Sequence, residues 1–418
     1  MNYIKAIFEN NRIFLFSIFM LPVIASFSSR STVPILFFLT LLSFFYSDKP
    51  LIRIPLNKGV LTIVVMSIGW LLFRAMYIES GEHSLLSWTK IVAICGAGLI
   101  LFRYVIGLDD KNKARISRFL IGGVFVSLAI IFIGCLSIDA GYAEFLRTGR
   151  SDQKTIFSAG VIFVSLICPA VLYYSWINNK IIFSLLIITV SIVMTISQSF
   201  AAIFAVMAGV LSSIFILYFG FKAINVIKIC LIFFTLSVPI LGPGILTGVN
   251  EIVLGPQSEE ADESVGIKGS VAHRYYIWKF TIDRAREHPI LGWGLDASRS
   301  LPGGDVNIGI GRELMPLHPH NAFLQIWVEL GYVGLMLLAS IIWLMFPRTP
   351  PGEAFDKRMA ILPITICMLV VIMSLSFGIW QSWWMSSIAL IICLASMANG
   401  KAGQIPPSRT TRHQAREI

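Results

Sequence analysis

Residues 317–346 read LHPHNAFLQIWVELGYVGLMLLASIIWLMF. Two histidines on either side of a proline run straight into an apolar stretch with one charged residue, Glu329. A bilayer core of about 30 Å asks for about 20 apolar residues per helix, and this stretch supplies them. The same ruler, moved outward along the chain, finds about twelve such runs, near 13–28, 32–47, 59–74, 85–105, 119–138, 155–177, 181–196, 200–221, 229–246, 321–346, 360–378 and 381–398. The seventh and eighth are divided only by Ser197-Gln198-Ser199. In lipid every backbone amide must find a partner within its own segment, so the runs are read as helices. A β-barrel would alternate polar and apolar residues, and these runs do not. The expected fold class is all-α, a polytopic membrane protein of about 12 transmembrane helices. Residues 1–246 hold the first nine helices, 247–320 a large loop, 321–398 the last three helices and 399–418 a basic tail.

Composition supports this reading. Of 418 residues, 56% are hydrophobic and 13% charged, and the mean hydropathy is +0.78, more apolar side chain than a soluble core can hide. The net charge of +10 does not imply nucleic acid, because Lys and Arg lie in short inter-helix loops with no basic domain to hold them. All six cysteines fall inside apolar runs and read as packing residues.

Membrane topology accounts for the charge. One side of the layout carries both termini and loops with Lys49, Arg53, Arg103, Lys111, Arg118, Lys180, Lys222, Lys228 and Arg348. The opposite short loops carry Arg30, Arg74, Lys90, Arg147, Arg150 and Lys154. The positive-inside rule then puts both termini in the cytoplasm and the 247–320 loop outside, in the periplasm of a Gram-negative cell. A cleaved signal peptide, for which Val23-Ile24-Ala25 offers small residues, would leave an odd helix count and put the charge-rich loops outside.

The outer loop has two chemistries. Glu251 to Gly269 carries Glu251, Glu259, Glu260, Asp262 and Glu263 with little apolar content and reads as a mobile acidic flap. From Ser270, a candidate N-cap, Val271, Tyr275, Trp278, Ile282 and Ala285 recur at helical spacing up to His288-Pro289. This is an amphipathic helix suited to a membrane surface, with its aromatic residues at headgroup level.

Arg274 lies one turn into that helix. Guanidinium matches the two-pronged geometry of a phosphate, so Arg274 suits a lipid diphosphate at the headgroup level, or serves as a plain headgroup anchor. A histidine titrating near neutrality takes a proton from an attacking hydroxyl, which makes His320 a candidate base. Asn321, at the helix start, caps it or hydrogen-bonds the histidine. His318 and His320 at i, i+2 supply two nitrogens, too few for a metal site, so no metal or other cofactor is expected. Glu329 either orients a partner or packs and snorkels. Trp293 and Trp327 read as interface or packing aromatics.

Four stretches, His273-Arg274-Tyr275-Tyr276-Ile277-Trp278, His288-Pro289-Ile290-Leu291-Gly292-Trp293-Gly294, His318-Pro319-His320-Asn321-Ala322-Phe323-Leu324-Gln325 and Glu329-Leu330-Gly331-Tyr332-Val333-Gly334, together resemble the O-antigen ligase and O-antigen polymerase superfamily. The match is specific as an ordered set, and the helix layout extends it over the chain. The resemblance implies a GT-C-like, metal-independent glycosyltransferase whose donor is a glycan on undecaprenyl diphosphate. For a ligase the acceptor is the lipid A-core oligosaccharide; a polymerase would join one lipid-linked repeat to another. His320 carries over as the base, Arg274 as the arginine on the donor diphosphate, and His318 as a supporting residue. One departure stands out: Phe200 occupies the place where similar chains carry an arginine. Arg150, and after it Arg147, are the candidates to supply that charge.

A polytopic lipid-glycan transporter would need ionisable groups near the bilayer midplane, and the spans offer almost none.

Overall fold

The computed structural model describes residues 11–47, 58–76, 81–136, 157–197, 199–249, 266–307, 313–347 and 354–397. They form thirteen α-helices: α1 (Arg12–Phe27), α2 (Thr32–Tyr46), α3 (Lys58–Met76), α4 (Gly81–Gly107), α5 (Asp110–Leu136), α6 (Ser158–Asn178), α7 (Lys180–Ser197), α8 (Phe200–Phe219), α9 (Phe221–Val249), α10 (Gly266–Glu287), α11 (Ala322–Met345), α12 (Ile361–Leu375) and α13 (Ser382–Ser396). No β-strand forms among the described residues. All but α10 coincide with the apolar runs read from sequence. Among the described residues, ten spans are long and apolar enough to cross a membrane, and α1 and α13 are shorter apolar helices. The protein is a multi-pass, all-helical membrane protein.

Two helices start earlier than their hydropathy suggested. The fifth run was expected from 119, but α5 begins at Asp110, because the Asp109 carboxylate accepts from Asn112 N (2.8 Å) and Asp110 favours the helix's first turn. Lys111, Lys113, Arg115 and Arg118 are therefore helical and not loop. The ninth run was expected from 229, but α9 follows α8 across Gly220 alone. Arg147, Arg150, the acidic segment 251–265 and the basic tail from 398 lie outside the described residues.

Helix α6 is central, packed against α1, α5, α7, α8, α12 and α13, with Val161–Cys168 buried. The outer-loop helix α10 packs on α9 and α11, with Ile277, Thr281, Ile282 and Ala285 buried. It begins at Gly266, so Ser270 lies inside it and is not its N-cap. The Trp278 indole is tied to the histidine turn, donating to Pro319 O (2.8 Å).

The tenth span is not one continuous helix. α11 is broken at Gly331 (φ 67°, ψ −165°), a region essentially reserved for glycine. A break at membrane depth is tolerated only where protein satisfies the freed backbone groups. Here the outer loop does so. Trp293 N and Gly294 N donate to Val328 O (2.8 Å) and Glu329 O (2.6 Å), while Tyr332 N and Val333 N donate to Pro289 O (2.9 Å) and Ile290 O (3.3 Å). The loop lies so close that a Cβ on Gly292 (φ 73°) would meet the Gly331 amide nitrogen at 2.6 Å. The arrangement is held from the opposite side by Arg74 of α3, which donates to Gly292 O (2.8 Å), and by Ser84 of α4, which donates to Leu295 O (2.8 Å). Two of the four sequence motifs, 288–294 and 329–334, are thus the two halves of one junction.

Candidate active site

The segment that follows Leu317 turns sharply. Pro319 fixes one backbone angle and offers no N–H. His320 sits in the left-handed region (φ 54°), uncommon for a residue with a side chain and a mark of a constrained functional position. Asn321 returns to extended geometry and caps α11, its Oδ1 accepting from Phe323 N (3.0 Å) and Leu324 N (3.1 Å). That oxygen is committed to the cap. The turn brings the rings of His318 and His320 to 4.3 Å between centroids.

The two rings have different proton arrangements. His320 Nδ1 lies 2.8 Å from the Ser376 carbonyl, which only accepts, so this nitrogen carries the proton. Its Nε2 then holds a free lone pair. His318 Nδ1 accepts from His320 N (3.2 Å), so its proton sits on Nε2. That nitrogen faces the Gln381 carboxamide at 3.1 Å, and the Gln381 oxygen, otherwise buried without a partner, is the acceptor it needs once the amide is turned. The ring of His318 also rests on Gly378, where a Cβ would meet His318 Cγ at 2.7 Å.

Charge sharpens the difference. Burial, the neighbouring His320 and Arg299 push the His318 pKa down to about 3, so this ring is neutral and a very weak base. Burial also lowers the pKa of His320, with Arg274 and His273 adding to the effect, while the Ser376 hydrogen bond opposes it. Burial likewise lowers the pKa of Arg274. Two neutral imidazoles thus lie within electrostatic reach of Arg274 and of Arg299, the latter paired with Asp296.

The sign of the pH dependence follows. His320 can accept a proton only when neutral, and its folded pKa lies below the usual 6.5, so its capacity as a proton acceptor is expected to hold at neutral pH and to fall only at lower pH. For His318 the folded pKa near 3 lies below the unfolded value, so the unfolded chain binds more protons across that window. Its contribution to stability is full above pH 6.5 and declines as pH falls towards 3, which thermal unfolding of the detergent-solubilised protein at stepped pH would report.

The structure brings together His318, His320 and Asn321, with Arg274 within electrostatic reach of His320. His273 Nε2 contacts Glu313 O (3.0 Å), and His288 packs edge-on against Trp293. Trp327 is a fully buried packing residue, and Phe200, at the start of α8, is exposed. Several participants escaped sequence reading: Ser376, Gly378 and Gln381 in the α12–α13 connection, and Arg299, which pairs with Asp296 at 3.0 Å. The signal for the first three was the interruption of the last two spans at Gly378. Beside the site, Phe234, Val238, Leu241, Trp278, Ile282 and Asn321 line an apolar groove between α9, α10 and the start of α11.

Glu329 neither snorkels nor merely packs. It is fully buried and accepts from Asp296 N (2.8 Å), Ser298 N (3.4 Å), Ser298 Oγ (2.6 Å), Gln325 Nε2 (2.9 Å) and Trp380 Nε1.

Residues 183–339 match the sequence family described as O-antigen ligase. The chain is similar to a protein of Rickettsia conorii (strain ATCC VR-613 / Malish 7) named "Putative polysaccharide ligase", with 26% identity over 358 residues, 82% of this chain and 80% of the relative. A protein of the same description from Rickettsia prowazekii (strain Madrid E) is 27% identical over 345 residues, 79% of this chain and 78% of its own. The resemblance read from the four motifs is borne out. The matched segment contains Arg274, both histidines and the Gly331 junction, and together with the membrane helices these likenesses support a membrane ligase-type function.

Proposed function

We propose that the protein is an inner-membrane, GT-C-like glycosyltransferase that moves a preassembled glycan from undecaprenyl diphosphate to a hydroxyl of the lipid A-core oligosaccharide, with the site on the periplasmic face and both termini in the cytoplasm. One observation carries the reading: the hydrogen bond from His320 Nδ1 to Ser376 O leaves Nε2 free to accept a proton beside Arg274.

The step balances without a cofactor. The acceptor O–H gives its proton to His320 Nε2 as the oxygen bonds to the anomeric carbon. The bond from that carbon to the diphosphate oxygen breaks, and the leaving diphosphate is held by Arg274 in a bidentate contact. A single displacement inverts the anomeric configuration. His318, neutral and too weak a base to compete, donates and positions. Arg150, or in its place Arg147, supplies the second cation that Phe200 does not. The apolar groove beside Asn321 and Trp278 offers a surface of the right chemistry for the prenyl chain.

A deletion strain tests the reading through its lipopolysaccharide gel pattern. Loss of every O-antigen band with accumulation of lipid-linked polymer is expected. A single repeat unit left on the core would identify a polymerase, and an unchanged pattern would overturn both readings. With purified protein, transfer is expected to persist in the presence of a chelator. Arg274→Lys keeps the charge but loses the fork, and is expected to lower kcat/KM at least about tenfold, since losing one of two charge-assisted bonds removes roughly 1.5–3 kcal/mol.

A further inference from the structure

We propose that Glu329 is the positioning residue for His320, acting through Gln325 and Trp380 to hold the α12–α13 connection whose Ser376 carbonyl fixes the imidazole tautomer. The inference rests on His320 being the base. His320 and His318 are both oriented by the short stretch 376–381: Ser376 O accepts from His320 Nδ1, Gly378 supports the His318 ring, and Gln381 faces His318 Nε2. That stretch is anchored to α11 at two points. Ile379 N donates to Gln325 Oε1 (2.9 Å), and Trp380 Nε1 donates to the Glu329 carboxylate. Gln325 Nε2 donates to the same carboxylate (2.9 Å), so both anchors converge on one buried group.

The donor set makes a carboxylate necessary. One oxygen receives Ser298 N, Ser298 Oγ and Gln325 Nε2; the other receives Asp296 N and Trp380 Nε1. Both oxygens face N–H groups, which cannot accept. A glutamine in place of Glu329 would therefore set its own NH2 against N–H donors in either orientation, stranding Trp380 and Asp296 or Gln325 and Ser298. Buried donors left without acceptors are costly, and the connection that bears Ser376 is freed to shift. Glu329 thus ties the outer loop, the histidine helix and the last hairpin to one point.

The test uses the full-length protein in proteoliposomes, with lipid-linked glycan donor and lipid A-core extracted from the parent strain. E329Q and, as a variant that removes both Gln325 bonds at nearly constant volume, Q325M are assayed on their monodisperse folded fractions. The expected result for each is a kcat at least tenfold lower, a donor KM within about twofold, and an acid limb of the kcat profile moved up towards pH 6.5 as His320 gains water. Glu329→Asp, which keeps the carboxylate, is expected to recover part of kcat and of the profile. An unchanged kcat in those folded fractions, or a lowered one over an unmoved acid limb, would overturn the positioning role while an inactive His320→Ala left the base in place. An active His320→Ala would instead overturn the base assignment on which it rests.

Discussion

His320→Ala is expected to abolish glycan transfer while leaving the protein inserted and able to bind donor. Positioned general bases contribute about 10²–10⁴-fold, and here the base is also the only imidazole with a free ring nitrogen aimed away from its partners among the two in the turn. The left-handed backbone at His320 invites the objection that any replacement distorts the turn. His320→Asn answers it, since Asn is among the residues enriched at positive φ, and it is expected to be equally inactive. His318→Ala should cost less, because that ring donates and supports and does not take the proton. The measurement is initial transfer rate per unit of membrane protein, alongside donor binding. Full activity of His320→Ala would refute the assignment.

Gly331→Ala is expected to have the largest effect on folding. At φ 67° and ψ −165° the backbone is in a region that side chains do not enter, and a Cβ there would run into the Ile290 carbonyl. The clash is with backbone, which cannot swing aside. Relieving it means separating the loop from α11 and stranding the groups now paired across the junction, Val328 O, Glu329 O, Tyr332 N and Val333 N. A loss on the order of 3 kcal/mol or more follows from these mechanisms together, enough to deplete the membrane-inserted protein. Thermal unfolding in detergent and steady-state abundance both report it. A Gly331→Ala protein as stable as the parent would mean the junction is not fixed as described.

The helices were legible because a membrane imposes one length and one composition on whatever crosses it, and every expected run became a helix. The break at Gly331 was not, because a glycine in an apolar run is ordinarily tolerated there, and the loop that compensates for it lies some forty residues earlier in the chain. His320 and Arg274 were legible as chemistry. The parts that orient the two histidines were less so: Ser376 contributes a carbonyl and Gly378 the lack of a side chain, neither of which stands out among Phe377, Ile379 and Trp380. Glu329 was conspicuous as a charge in an apolar helix, but apart from Gln325 on the preceding turn its donors come from 296–298 and 380, and only the fold collects them.

The hydrogen bond from His320 to Ser376 also has a consequence for the order in which the protein comes into being. A ribosome reaches both histidines well before it reaches Ser376, Gly378 and Gln381. Until the α12–α13 hairpin has entered the bilayer, the nascent polypeptide carries both histidines but nothing to choose which nitrogen of His320 bears the proton. The site is therefore assembled only once that hairpin is inserted, and on the proposed function a half-inserted chain lacks the carbonyl that holds His320 ready to take a proton.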